Sequence, residues 1–363
     1  MNQRDGISAG VIGLGATGAR AARQLISSPQ VASVVLYDPN PEALKTAAHS
    51  LGAHSSVAGG AEGVFSGCDV VVLATPGAQP DLAIEALAKG CHVVCTSSSA
   101  ELFELDAAAR TALRSLVVGA GFCPGFSELA LRSLTADFDE VAEVEVVSMG
   151  AGGAGCRREK AAARRRPATR WVDGGYQKVT DRTPLRRWLP PPLGVRLAVP
   201  SGGAVVPLVV EALPAIGRAS YREVVSQRRR VADRGLAAAE ARLGSSYRFT
   251  SELIADRWSR APLRTIEDEV GGFAVEVTAK SGGQSEVTLA GAIDRPAVAA
   301  GTVAAVAAIR AAGEGLGSPG AHGVAWHGPA VAPMMAELWR RGVRAARFDG
   351  DNGVHPLVPL ENG

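Results

Sequence analysis

The chain has 363 residues, 47% hydrophobic and 20% charged, with a formal net charge of +2. That length fits two domains or one large one, with apolar residues enough for a substantial core. The near balance of charge excludes an overall electrostatic footprint for nucleic acid, and the opening "MNQRDGIS" lacks the apolar run of a secretory signal.

Five cysteines, Cys68, Cys91, Cys95, Cys123 and Cys156, form no paired spacing. An odd, scattered set predicts reduced thiols in a cytoplasmic protein, with neither a disulfide framework nor a zinc site. The run "PAVAAGTVAAVAAI", Pro296 to Ile309, is shorter than the roughly 20 residues a membrane span needs. It reads as a tightly packed helix, and no membrane partner is expected.

From residue 8 the chain alternates short apolar strands with helices. "SAGVIGL", "VASVVLYD", "CDVVVLAT", "HVVCTSS" and "SLVVGAG" read as strands. Between them "GARAARQLISS", "PEALKTAAHSLG", "QPDLAIEALAKG" and "AELFELDAAARTAL" have helical spacing. This rhythm predicts an α/β Rossmann-type, doubly wound parallel sheet over residues 1–122. The rhythm then changes. "EVAEVEVVSMGAGG" alternates apolar and polar residues, and "FAVEVTAKSGGQSEVTLAGAI" reads as a hairpin about Ser-Gly-Gly. Residues 123–295 are therefore expected to form an α+β substrate domain with a mostly antiparallel sheet. Its section 156–215 is basic and proline-rich and matches no period. Over 296–363 two helices, "PAVAAGTVAAVAAIRAA" and "APMMAELWRRG", are expected to pack back towards the first domain.

"VIGLGATG" sets Gly13, Gly15 and Gly18 in a G-x-G-x-x-G spacing between a strand and a helix. In that context the first glycine permits the tight turn, the second lets backbone approach a pyrophosphate, and the third lets helix and strand pack. Ala16 and Thr17 open the helix whose N-terminal N–H groups would meet the phosphates. Asp38 ends the second strand, 20 residues after Gly18, where a carboxylate can bond ribose hydroxyls. A 2′-phosphate would meet a like charge there, so NAD is expected in preference to NADP. A turn serving packing alone, or a methyltransferase turn, are the competing readings. Thr75 and Pro76 follow the fourth strand and are expected to border the nicotinamide. Ser97, in "CTSSS", and Gly121 lie at the same sheet edge.

In "GFCPGFSEL" the turn Gly121, Phe122, Cys123, Pro124, Gly125 follows the last parallel strand and opens a helix. Here the chain resembles the saccharopine dehydrogenase-like NAD(P)-dependent oxidoreductases, in which a Gly-x-x-Pro-Gly turn leads into the substrate domain. The glycine-turn start, "KGCHVVCTSSS", and "AGAIDRPAVAAGTVAAVAA" followed by "LWRRGVRAARF" add to the resemblance. It implies hydride transfer at a C–N or C–O centre of a small substrate next to a carboxylate. The glucose–fructose oxidoreductase type shares the architecture but carries Glu-Lys-Pro after the fifth strand, with a catalytic lysine. This chain has Thr96, Ser97 and Ser98 there, which counts against a sugar dehydrogenase of that type.

Candidates for a proton relay are few. Glu128 lies in the first turn after the glycines, where the helix dipole explains it equally well. Lys160 and Tyr176 fall in the expected substrate region, with no motif behind either. His327, in "VAWHGP", sits in a loop beside Trp326. None of the six histidines has metal-ligand spacing. From Arg157 to Arg187 eleven basic residues face three acidic ones. That run suits a clamp on a substrate carboxylate, a nucleic-acid contact or a solvated surface. A non-catalytic dinucleotide-binding sensor or scaffold is the rival to an enzyme, and an open antiparallel sheet suits a homodimer.

Overall fold

The computed structural model describes residues 6–77, 79–97, 99–150, 153–224, 270–281, 283–313, 316–349 and 353–357. Ser98, and the side chains of Arg158, Arg164 and Arg165 in the basic run, lie outside the described residues.

The first half alternates as its sequence requires. Strand β1 (Ile7–Ile12) leads to helix α1 (Ala16–Ile26), β2 (Val31–Tyr37) to α2 (Pro41–Leu51), and β3 (Ser55–Val57) to α3 (Ala61–Phe65). Then follow β4 (Val70–Leu73), α4 (Gln79–Ala88), β5 (His92–Cys95), α5 (Asp106–Thr111), β6 (Ser115–Val118) and α6 (Phe126–Leu134). Strands β4 and β6 are buried along their whole length, the mark of a parallel sheet covered on both faces. The expected helix over "AELFELDAAARTAL" is a 3-10 turn, Ala100–Leu105, running into α5. β3 and α3 lie in a stretch without periodic signal.

The second half has β7 (Glu140–Met149), α7 (Ala154–Arg165), β8 (Ala168–Val172), β9 (Gly175–Val179), β10 (Leu185–Arg187) and β11 (Arg196–Pro200). It continues through α8 (Val205–Ala212), β12 (Arg218–Val224), and the hairpin β13 (Gly271–Ser281) and β14 (Gln284–Asp294). The basic stretch that matched no period thus holds two helices and four strands. The C-terminal part contains α9 (Pro296–Ala312), β15 (Gly320–Gly323), α10 (Gly328–Arg340), β16 (Ala346–Asp349) and β17 (Gly353–Pro356). Both expected helices are there, and three short strands join them.

Two sheets result. The seven-stranded sheet has the order β15-β6-β5-β4-β1-β2-β3, and all its pairs are parallel. The ten-stranded sheet runs β10-β11-β12-β7-β13-β14-β16-β17, with β8 and β9 added beside β12. Only its β12–β7 pair is parallel. The C-terminal segment serves both: β15 extends the first sheet and β16–β17 the second, while α9 packs on α1.

Helix α6 joins the halves. Phe126, on α6, meets Phe273, on β13, edge to face at 5.6 Å, and Phe122 meets Phe273 at 5.2 Å. Phe126 and Phe273 are fully buried, each ring worth roughly 1.5–3 kcal/mol in removed apolar surface. This aromatic trio fixes the turn Gly121–Gly125 between the sheets. No helix among the described residues is long and apolar enough to cross a membrane.

Candidate active site

The glycine turn separates into three physical roles. Gly13 has φ +91°, and a Cβ there would lie 2.8 Å from the Ala74 backbone. A Cβ on Gly18 would lie 1.8 Å from the Gly13 carbonyl oxygen. Both positions are closed by the protein's own packing. At Gly15 a Cβ would meet nothing within 4 Å. Gly15 precedes α1 and offers no side-chain cap, so the N–H groups of the first turn face that open space.

Asp38 holds this turn in place. Its Oδ2 accepts from the Leu14 N–H at 2.5 Å and its Oδ1 from the Asn40 N–H at 2.8 Å. Asn40 in turn caps α2, accepting from the Glu42 N–H at 3.0 Å. Next to the turn, the buried Thr75 Oγ1 has no hydrogen-bond partner among the described residues. An open cradle at a helix N-terminus, a carboxylate ending β2 and an orphaned hydroxyl are the features a dinucleotide would satisfy. Thr17, Thr75, Pro76 and Gly121 all line the crevice that begins here, and Ala16 approaches it from α1.

That crevice runs between the sheets, and its far wall is α7. A Cβ on Gly153 would be 3.6 Å from Ala16, and one on Gly155 3.5 Å from Pro76, so the start of α7 is seated against the nucleotide turn. One turn further on, Glu159 and Lys160 reach the crevice. Glu159 Oε1 accepts a short hydrogen bond from Ser97 Oγ, just past β5. Lys160 Nζ donates to the Gly150 carbonyl at 2.7 Å and lies 3.8 Å from Glu223 Oε1. Glu223 is buried on β12 and also accepts from Ser201 Oγ at 3.5 Å. Beside it the buried Tyr221 hydroxyl is 2.7 Å from Ser148 Oγ, which faces the crevice.

Burial decides the charges. It raises the Glu159 carboxyl above the usual carboxylate range, against the Ser97 hydrogen bond and the nearby Arg166 and Lys160, which lower it. Burial raises the Tyr221 hydroxyl well above its ordinary value, with Glu223 adding to the effect, so Tyr221 stays protonated. It pushes the Cys123 thiol up to about 12, assisted by Glu128. A thiol held so far up is protonated at neutral pH and a poor nucleophile.

The remaining sequence candidates fall in different places. Glu128 is buried in α6, where its Oε2 accepts from the Gly125 N–H at 2.5 Å and from Ser127 Oγ at 2.9 Å. It caps the helix, and its Oε1 has no partner among the described residues. Tyr176 is 53% exposed on β9, edge-on to Trp171 at 4.9 Å. His327 precedes α10 beside Trp326. Neither lines the crevice, nor does Glu128. Glu159, Tyr221 and Glu223 were missed by sequence reasoning. The one available signal was Glu159's position as the sole acid in "CRREKAAARRR". Among the described residues no group of three acidic, histidine or cysteine side chains could hold a metal.

Residues 7–120 match the family model described as an oxidoreductase family with an NAD-binding Rossmann fold. No curated protein matches the sequence. Among solved structures, the apo saccharopine dehydrogenase (L-Glu forming) of Saccharomyces cerevisiae is similar over 95% of this chain and 100% of its own, with 15% identity and a TM-score of 0.68. The DAP dehydrogenase of C. glutamicum in complex with DAP is similar over 90% of this chain and 96% of its own, with 15% identity and a TM-score of 0.46. The matched region runs through β5 and includes Thr96 and Ser97. Residues 7–120 thus match the NAD-binding Rossmann domain of an oxidoreductase family, in a chain whose overall fold is similar to that of the yeast saccharopine dehydrogenase.

Proposed function

We propose that the protein is an NAD-dependent oxidoreductase acting on a C–O or C–N centre of a small substrate in the crevice, with Lys160 carrying the proton. The dinucleotide, when bound, supplies or accepts the hydride. Gly15 and the start of α1 would hold its pyrophosphate, and Asp38 its adenosine ribose, disfavouring a 2′-phosphate. Thr75 and Pro76 would bound the reactive end.

The observation that supports this reading most is the meeting of α7 with the carboxyl edge of the parallel sheet. Lys160 and Glu159 stand across the crevice from the glycine turn, beside Ser97. An ammonium has three donors. In Lys160 one goes to Gly150 and one points towards Glu223, which leaves the third for a substrate heteroatom. Glu223 and the Gly150 carbonyl orient that ammonium, and the Ser97-bound Glu159 closes the polar side of the crevice. Lys160 thereby takes over the proton task from a second-domain helix, at a sheet edge where the glucose–fructose type uses a lysine after its fifth strand. A substrate carboxylate has no arginine to meet among the described lining residues, so the proposal specifies the reacting centre alone.

The test is Lys160→Met, assayed by NADH oxidation against a panel of 2-oxo acids, aldehydes and imines that the wild-type protein turns over. Turnover should fall about 100-fold or more, while NADH affinity by fluorescence titration stays within about twofold. Full turnover in the variant would place the relay elsewhere.

A further inference from the structure

We infer that the outer face of the second sheet carries a binding site for a small dianion, with phosphate or carboxylate groups, centred on Arg222 and separate from the crevice. Strand β12 alternates across the sheet. Tyr221 and Glu223 are buried on the crevice side, whereas Arg218, Ser220 and Arg222 face the other way. A groove of about 400 Å³ opens on that outer face, lined by Arg170, Arg187, Arg218 and Arg222 together with Glu143 and Glu145.

The inner pair of arginines shares one acid. Arg222 Nε donates to Glu145 Oε1 at 2.7 Å, and Arg187 Nε makes a short ion pair with Glu145 Oε2. One carboxylate cannot neutralise two guanidiniums. The shortfall shows at Arg222 Nη1, which is buried and has no acceptor among the described residues. A buried cationic donor left unmet destabilises the fold, so an acceptor is expected at that atom.

Arg170 and Arg218 are exposed and stand at the rim. Among the described lining residues, four guanidiniums against two carboxylates leave two positive charges, the charge of a dianion. Glu276, opposite Glu145 on β13, is exposed to solvent and lies outside the groove's lining. Asp181, near Arg222, is fully solvent-exposed and screened. Guanidinium forks match planar carboxylates and tetrahedral phosphates in paired hydrogen bonds, which a lone lysine does not do.

The experiment is calorimetric titration with inorganic phosphate and with succinate, at fixed ionic strength and with NADH saturating, so that the pyrophosphate cradle is filled. The wild-type protein should bind one equivalent of at least one probe. The double variant Arg170→Ala/Arg218→Ala, altered only at exposed rim residues, should bind about tenfold more weakly. Arg222→Gln should abolish the binding. Tighter phosphate would identify a phosphate ester as the ligand class, and tighter succinate a dicarboxylate. Absence of saturable binding by either probe, or unchanged affinity in the rim double variant, would overturn the inference.

Discussion

Two glycine-rich turns leave the carboxyl edge of the same parallel sheet, and they solve opposite problems. At Gly13–Gly18 the first and third glycines are closed by backbone, and the second opens on empty space. At Gly121–Gly125 the space is filled from within. Gly125 has φ +116°, and a Cβ on it would lie 2.5 Å from the Gly121 backbone nitrogen and oxygen. The Phe126 N–H returns to the Gly121 carbonyl at 2.9 Å. One turn is a socket and the other a knot. A glycine spelling therefore reports only that a side chain is excluded; whether a ligand or the chain itself excludes it depends on what faces the missing Cβ.

Substitution separates the two most sharply at Gly125. Gly125→Val combines a left-handed backbone with a collision against backbone, and should cost at least about 3 kcal/mol in urea unfolding. A turn whose task was to shape the substrate side would instead lose turnover first. An unchanged unfolding midpoint with lost turnover would support that reading. Gly15→Val is the counterpart. Its φ is −65°, ordinary for any residue, and its Cβ is free. The variant should keep its thermal midpoint and lose measurable NADH binding, and retained affinity would mean that the socket serves packing alone.

Smaller effects sharpen the contrast. Asp38 bonds the socket's backbone and would face the ribose, so Asp38→Ala should narrow the preference for NADH over NADPH by about tenfold, read as a ratio of dissociation constants. A wild-type preference for NADPH would defeat the prediction at its root.

The knot has its own titration. Burial pushes Glu128 up to about 6, from an ordinary 4.5, against the opposing Gly125 and Ser127 hydrogen bonds. The folded state thus holds the proton more tightly than the unfolded chain. The stabilisation is fully present below pH about 4.5 and is lost as pH rises through about 6, by about 2 kcal/mol. Glu128→Gln should flatten the unfolding free energy across that window. A slope equal to wild type would assign the pH dependence to other groups.

The legible part of this molecule is the part whose signals are local. Valine-rich strands alternating with helices, the turn at Gly13–Gly18 and the β13–β14 hairpin follow from short-range periodicity and turn chemistry. The far wall of the crevice does not. Ser97 and Glu159 are 62 residues apart, and Ser148 and Tyr221 73 apart. No window of sequence contains such a pair. Helix α7 was hidden because its arginines swamp the apolar stripe that would mark a helix. Lys160 carried no motif since its partners, Gly150 and Glu223, arrive from β7 and β12. Tyr176 and His327 are aromatic and imidazole groups of the right chemistry on elements that face elsewhere. β15 and β16, at four residues each, are too short for a period to show.

Helix α9 meets α1 almost backbone to backbone: a Cβ on Gly301 would lie 2.5 Å from the Thr17 carbonyl oxygen. Its alanines and Gly301 permit that approach, and β15 then pairs with β6 along Ser115–Val118. The nucleotide half is therefore assembled from two pieces of chain separated by all but the last two strands of the second sheet. Closing it requires a loop of nearly 180 residues, which makes it slow to form relative to a domain built from one contiguous stretch. On the ribosome, the free edge of β6 and the apolar face of α1 must wait for most of the chain to emerge. Until then they are surfaces that a chaperone, or another nascent copy, would find open.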